Sequence, residues 1–276
     1  YLSDRLKNEF KSSSESLGLT EISLSEALKA VPIVNRKVVK YASYREDVYD
    51  LNTNRLIQNF EREAKRNNAV IKINSAVKKI ERSKSIWRVL TDSGEYHSNI
   101  LVNASGAWVD YISNLAGIEK IGFLPMRRSM ARIPLPSEFD VTNWAFFSGP
   151  NEDWYAKPDA GQLIVSPAEE DLVEPHDAWA EDLTIAEGIS RYQEFVTTPV
   201  KRITSNWAGL RTFAPDRSLV IGPAKGNSSF FFMAGQGGYG FQTAPAASNL
   251  LKELIMGLPH NLEKKIIKKL DPKRFN

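Results

Sequence analysis

Phe230-Phe231-Phe232-Met233-Ala234-Gly235-Gln236-Gly237-Gly238-Tyr239-Gly240-Phe241-Gln242-Thr243 reads as a buried strand that runs through a glycine loop into a helix. Five apolar residues in a row suit a strand covered on both faces. The glycines that follow remove the side chains from a sharp reversal and let the backbone come close to a flat ring. From about Phe241 to Met256 the pattern is helical, and Gly257 stands where a left-handed stop is expected. Pro245 is expected in the first turn, where a missing N–H costs little. The exposed amides of a helix start carry partial positive charge, so strand, loop and helix together make a site for an anion or a developing negative charge. A glycine turn with only a packing role gives the same letters.

Outward from this stretch, Trp207-Ala208-Gly209-Leu210-Arg211 sets an arginine among apolar and aromatic residues. A guanidinium there needs a partner, either an internal carboxylate such as Asp216 or Asp153 or the carboxylate of a ligand. Further upstream, Ile100 to Asn103 reads as a buried strand delivering the loop Asn103-Ala104-Ser105-Gly106-Ala107-Trp108, with a helix from about Val109 to Ala116 closing on Gly117. Asn54 to Asn67 carries Leu56, Ile57, Phe60 and Ala64 on one helical face and is expected to lie on a sheet. Alternation at Ile71 and Ile73, then Val77 to Ile80 and Trp87 to Leu90 with a turn at Ser93-Gly94, predicts short strands. Between Gly122 and Trp207 aromatic residues and prolines interrupt short alternating runs, which predicts an antiparallel layer with one helix near Leu183 to Phe195. Within it Arg127, Arg128 and Tyr155 are pocket candidates. The first 50 residues, with a capping box at Ser23 and Glu26, read as helical packing.

The chain of 276 residues has no cysteine, which removes disulfides, thiolate metal sites and cysteine nucleophiles and suits a cytoplasmic location. Redox chemistry, if present, must come from a cofactor. Thirty-six basic against 33 acidic residues give a net charge of +3, too small and scattered to imply nucleic acid. Lys264, Lys265, Lys268, Lys269 and Lys273 read as a solvated helix face. The acidic run Glu169, Glu170, Asp171, Glu174, Asp177, Glu181 and Asp182 reads as a surface loop without metal-ligand spacing. His97, His176 and His260 lie in polar turns away from any triad pattern. No apolar run reaches the roughly 18 residues of a membrane helix.

Four stretches together carry a likeness: Val102 to Trp108, Trp154-Tyr155-Ala156-Lys157-Pro158-Asp159-Ala160-Gly161, Trp207 to Arg211, and Gln236 to Thr243. In this order they resemble the D-amino-acid oxidase (DAO) superfamily of FAD enzymes, most closely its bacterial D-arginine and D-amino-acid dehydrogenases. The resemblance implies a mixed α/β fold: a Rossmann-like FAD domain from 51–118 and 214–276, an antiparallel-sheet substrate domain from 119–213, and a helical segment over 1–50. It implies oxidative deamination of an amino acid, of the D series by that likeness, through hydride transfer to flavin N5, giving an imino acid, then an oxo acid and ammonia. Arg211 would hold the substrate carboxylate, Arg128 would be a second cationic contact, Tyr155 would donate a hydroxyl, and Gly238 would offer a carbonyl to the amine. All four would position substrate and none would react. Val77 would lie against adenine; Ala104, Ser105, Gly106 and Trp108 would support the nucleotide half. Gly235, Gly237, Gly238, Tyr239, Gly240, Phe241, Gln242 and Thr243 would border the isoalloxazine. The family's N-terminal strand, glycine fingerprint and helix are expected to lie outside this chain, in a preceding segment or a partner chain. Two alternatives stay open: a glycine- or sarcosine-type oxidase using oxygen, and a non-catalytic substrate-binding subunit.

Overall fold

The computed structural model describes residues 1–275. In chain order the strands are β1 Leu2–Ser3, β2 Thr20–Ile22, β3 Tyr41–Tyr44, β4 Val77–Ser83, β5 Ile86–Thr91, β6 Gly94–Ser98, β7 Leu101–Asn103, β8 Leu124–Ile133, β9 Phe147–Ser148, β10 Tyr155–Asp159, β11 Gln162–Ser166, β12 Asp171–Leu172, β13 Ser205–Phe213, β14 Val220–Ala224 and β15 Asn227–Ala234. The helices are α1 Lys7–Ser16, α2 Leu24–Ala30, α3 Thr53–Arg66, α4 Val109–Leu115, α5 Asp182–Glu194, α6 Gly240–Met256 and α7 Lys264–Leu270. Two units emerge: Tyr1–Tyr49 with Arg127–Leu172 and His176–Leu210, and Asp50–Met126 with Val173–Pro175 and Arg211–Asn276.

The first unit is built on a six-stranded sheet in the order β12-β8-β11-β10-β9, with β13 also pairing β8. Its core gathers Trp154, Tyr192, Phe147, Leu163 and Val165 with Ile33 and Val34 from the first 50 residues. Trp154 and Tyr192 meet edge to face at 5.4 Å. Gly149 exists to admit that indole, because a Cβ there would stand 2.1 Å from Trp154 Nε1. The capping box forms as the sequence indicates: Glu26 N donates to Ser23 Oγ at 3.2 Å and Ser23 N to Glu26 Oε2 at 2.8 Å. The first 50 residues are nevertheless more than helical packing, since β1, β3 and β2 form an antiparallel sheet there. Strands of two to four residues are too short to show an alternating pattern.

The second unit carries two three-stranded sheets, β4-β5-β6 and β14-β15-β7. Trp87 links them by donating from Nε1 to Ser229 Oγ at 3.0 Å, and its ring meets Phe230 at 5.9 Å. β7 lies parallel to β15, with Leu101, Val102 and Asn103 beside Phe230, Phe231 and Phe232. Ile71 and Ile73 fall in no strand. Asn74 follows with a left-handed backbone, φ 53°, which turns the chain out of an extended run before β4. Helix α3 forms, but none of its residues is buried, and Ile57 and Phe60 stay about half exposed. The expected helix-on-sheet packing is therefore absent among the described residues. Pro245 sits inside α6, in its second turn, because the helix begins at Gly240. Gly257 closes α6 in the left-handed region at φ 63°, and Gly117 does the same after α4 at φ 67°.

Asp110, in the first turn of α4, accepts the backbone N–H groups of Ile121, Gly122 and Phe123 at 3.2, 3.0 and 2.9 Å. It thereby fixes the entry into β8. Asp110→Ala leaves three amides without their acceptor, and we expect a loss of about 2–3 kcal/mol, read as a lower midpoint in urea unfolding with an unchanged slope.

Candidate functional site

Two loops of the second unit emerge at the same end of one sheet. Because β7 and β15 are parallel, their carboxyl ends point the same way, and the loops 104–106 and 235–239 begin there. In open α/β sheets that end is where ligands bind. Asn103 holds the first loop: buried, it donates from Nδ2 to Val109 O at 2.8 Å and to Ser113 Oγ at 3.2 Å, and accepts Ser105 Oγ at 2.6 Å. Gly106 takes φ 58° with nothing within 4 Å of an added Cβ. Trp108, Tyr239 and Phe241 remain exposed by 43%, 59% and 44%, so their rings are available to contact another flat group.

The second loop is docked on the end of β13. Gly237 N donates to Thr212 O at 2.8 Å. At Gly237 the backbone is left-handed, φ 52°, and a Cβ would stand 2.3 Å from the Phe213 ring. A Cβ at Gly238 would lie 3.1 Å from Arg211 Nη1, so the bare backbone of Gly238 runs against the guanidinium. At Gly235, φ 73°, an added Cβ would lie 3.3 to 3.5 Å from Phe123, Ser218 and Ala214. The loop then turns, Tyr239 N donating to Gln236 O at 2.9 Å, and Thr243 donates from both its backbone N and its hydroxyl to Tyr239 O at 3.1 and 2.7 Å. Arg211 and the glycine loop, linked in the sequence only by inference, are thus neighbours. Of the two internal partners weighed for Arg211, Asp216 and Asp153, the first accepts from Arg274, at 2.7 and 3.0 Å. That pair, with the Ser218 amide, holds the Asp216 carboxyl below the usual range.

Gly235, Gly237 and Gly240 do stand at Gly-x-Gly-x-x-Gly spacing between a strand and a helix. Spacing alone therefore cannot deny this loop a dinucleotide role. Among the described residues α6 leads to α7 with no strand after it, and the segment about 20 residues on, Ile255 to His260, holds no acid for a ribose. The loop suits a ring approached by bare backbone. Val77, at the start of β4, is partly buried against the core that contains Ile80 and Trp87.

The remaining candidates belong to the first unit. Successive residues of β8 face opposite ways, and this separates Arg127 from Arg128. Arg127 is buried and bound to Asp171 at 2.8 Å and to Glu181. Glu181 first, then Asp171, holds its guanidinium charge more firmly than usual. Arg128, 9% exposed, donates from Nε to the Glu169 carbonyl at 2.8 Å and from Nη2 to Glu170 Oε1 at 3.3 Å. Its guanidinium stands 5.9 Å from the Tyr155 ring, which stacks on Phe146 at 5.4 Å and donates to Met130 Sδ at 3.6 Å. The acidic run read as a surface loop is thus the counter-charge of both arginines. Adjacent arginines on a strand, followed by an acid-rich stretch, were the available signal. Among the described residues no group of histidines and carboxylates could hold a metal, and no helix is long and apolar enough to cross a membrane.

Residues 2–254 match the family of FAD dependent oxidoreductases designated DAO. The glycerol 3-phosphate dehydrogenase of Caloramator mitchellensis is 24% identical over 205 residues, covering 72% of this chain and 42% of that protein; the chain thus spans less than half of that relative's length. Among solved structures, L-proline dehydrogenase from P. horikoshii superposes with a TM-score of 0.81 at 22% identity, covering 99% of this chain and 75% of the other. Glycine oxidase from Geobacillus kaustophilus does so at 0.78 and 17%, covering 95% and 71%.

The glycine geometry separates two substitutions. Gly237→Ala meets both the Phe213 ring and a left-handed backbone, for which we expect about 2–4 kcal/mol of destabilisation. Gly106→Ala meets the backbone cost alone, about 1 kcal/mol. Thermal melts of the two variants should rank in that order.

Proposed function

The chain belongs to the FAD-dependent oxidoreductase (DAO) family, and from that membership we propose that the protein containing it oxidises an amino acid at the carbon bearing nitrogen. The observation that carries the reading is the arginine laid against the glycine loop: a carboxylate-binding fork beside a bare backbone, where a Cβ at Gly238 would stand 3.1 Å from its Nη1. Gly235, Gly237 and the first turn of α6 suit the ring end of FAD, because the loop presents bare backbone, backed by the Phe213 ring beneath Gly237, and the first amides of α6 carry positive potential. Bound there, FAD supplies a two-electron acceptor for the substrate's hydride. This chain's own work is orientation. Arg211 takes the substrate carboxylate through paired N–H donors, which fixes the α carbon without reacting at it. In the first unit, Arg128 and the Tyr155 hydroxyl are further donors for a carboxylate, and Gly238 O is an acceptor for an amine. Ala104, Ser105, Gly106 and Trp108, with Val77, take the nucleotide half in this reading.

Glycine oxidase and L-proline dehydrogenase act on amino acids by name, whereas glycerol 3-phosphate dehydrogenase does not. An arginine fork accepts phosphate as well as carboxylate, so the substrate assay must include both. The finer reading, a D-amino-acid dehydrogenase of the D-arginine type, rests on the four matched segments, and a peroxide assay against dye reduction separates it from an oxidase. The grip on the pyrophosphate we assign to a strand–glycine–helix unit outside these residues, or on a partner chain.

Two outcomes are expected. In the flavin-loaded protein, Arg211→Ala slows flavin reduction by an amino acid at least ~100-fold and raises the Michaelis constant; stopped-flow reduction at wild-type speed would remove Arg211 from the site. The 276-residue chain purified alone should carry little FAD, and a yellow preparation with one flavin per chain would refute the assignment of the pyrophosphate grip elsewhere.

A further inference from the structure

Arg217 stands in a backbone shape that its residue type resists. Its φ is 60°, in the left-handed region where a Cβ crowds the following carbonyl and glycine or asparagine is the usual occupant. Strain of this kind persists where the surroundings fix it, which raises the question of what the side chain does there. Residue 217 ends the turn between β13 and β14, its N–H donating to Ala214 O at 2.8 Å. The guanidinium lies 4.0 Å from the centre of the Phe213 ring. The turn has its own anchor, because Arg274 binds Asp216 at 2.7 Å and donates to Ser218 O at 3.0 Å. What Arg217 holds is the ring. Phe213 is 3% exposed although Pro215, Asp216 and Arg217 are exposed, so the planar guanidinium shields a ring that borders an exposed turn. The same ring is the floor of the glycine loop: a Cβ at Gly237 would stand 2.3 Å from Phe213 Cε1 and 2.7 Å from Cδ1. The Gly237 amide donates to Thr212 O at 2.8 Å, and with no side chain of its own Gly237 is supported by that carbonyl and that ring.

We propose that Arg217 is a positioning residue for the flavin: packed on Phe213, its guanidinium pins the ring that carries Gly237 and so fixes the backbone that borders the isoalloxazine. This rests on the reading that the glycine loop lies at the ring end of FAD. Arg217 acts through Phe213 and touches no reacting atom. The clamp does not require the guanidinium to be free of other partners, because a further bond would hold it on the ring more firmly. The left-handed backbone has its reason in the same contact, since it is the conformation in which this turn brings the cation back over a residue already passed.

The first measurement needs no cofactor. Hydrogen exchange at the Gly237 amide is followed by NMR in the 276-residue chain for wild type, Arg217→Met and Arg217→Lys. The Leu258 amide, which donates to Glu253 O at 2.9 Å beyond the end of α6, serves as internal reference. Both variants keep the backbone strain and a long stem, and only lysine keeps the charge. Exchange at Gly237 should rise about two- to fivefold in Arg217→Met, the factor that corresponds to an exposed cation–π contact of about 0.5–1 kcal/mol, and fall back toward wild type in Arg217→Lys, with Leu258 unchanged. The second measurement uses the flavin-loaded protein. The visible circular dichroism of the flavin, which senses how the neighbours of the ring are placed, should weaken in Arg217→Met and recover in Arg217→Lys. Equal Gly237 exchange in all three proteins would remove the clamp and leave the flavin loop as assigned. Acceleration shared by Leu258, or equal in the methionine and lysine variants, would reduce Arg217 to general stability and overturn the proposal too. Faster Gly237 exchange in Arg217→Met with an unchanged flavin signal would separate the loop from the flavin, overturning the positioning role together with the placement of the ring on which it rests.

Discussion

The parallel pairing of β7 with β15 is the contact on which the candidate site depends. Three residue pairs bring the carboxyl ends of two strands, separated by more than a hundred residues, to one edge. Parallel strands cannot be joined by a tight turn, so the intervening chain is free to build other structure and return. Everything at that edge follows from the pairing: the Asn103 loop, the glycine loop and the start of α6 share one end because their strands share one direction. An antiparallel register would have sent the two loops to opposite ends.

The second constraint is steric. Thr212 O receives the Gly237 amide, the Phe213 ring fills the space beneath Gly237, and Gly238 runs along Arg211. The end of β13 therefore acts as a template on which the loop is cast, and the same three residues supply a backbone acceptor, a packing surface and a cation. An arginine held this way has its position set by the fold and not by a mobile arm. That is the arrangement a positioning residue requires, because a carboxylate can only orient an α carbon as well as its own partner is fixed.

Much of this was legible because it is written in local chemistry. Gly257 and Gly117 mark helix ends through a backbone shape that other residues resist, and Ser23 with Glu26 spells a cap within four residues. The strand before the glycine loop announces itself by composition. What stayed hidden depends on partners remote in sequence. The sheet of β1, β3 and β2 consists of strands too short to show a period. The half-exposed face of α3 carries a helical stripe as regular as that of any buried helix, and periodicity records which face is apolar without recording what covers it. The spacing of Gly235, Gly237 and Gly240 matches a dinucleotide fingerprint in letters, and the letters do not tell a loop for a pyrophosphate from a loop for a ring.

Arg127 and Arg128 show how little distance in sequence is needed for two identical side chains to have different roles. One residue of offset on β8 turns them to opposite faces. Arg127 meets two carboxylates and is committed to structure; Arg128 meets a carbonyl that aims it and one carboxylate on an exposed arm. Of the two, the proposed function assigns Arg128 to a ligand, because one of its donors goes to a neutral carbonyl whereas Arg127 spends donors on two anions. The acidic run, which as a string of letters reads as a solvated loop, is what makes the distinction. The assignment of a pocket arginine therefore rests on the strength with which its internal partners hold it, and burial alone, nearly equal for the two at 6% and 9%, does not decide it.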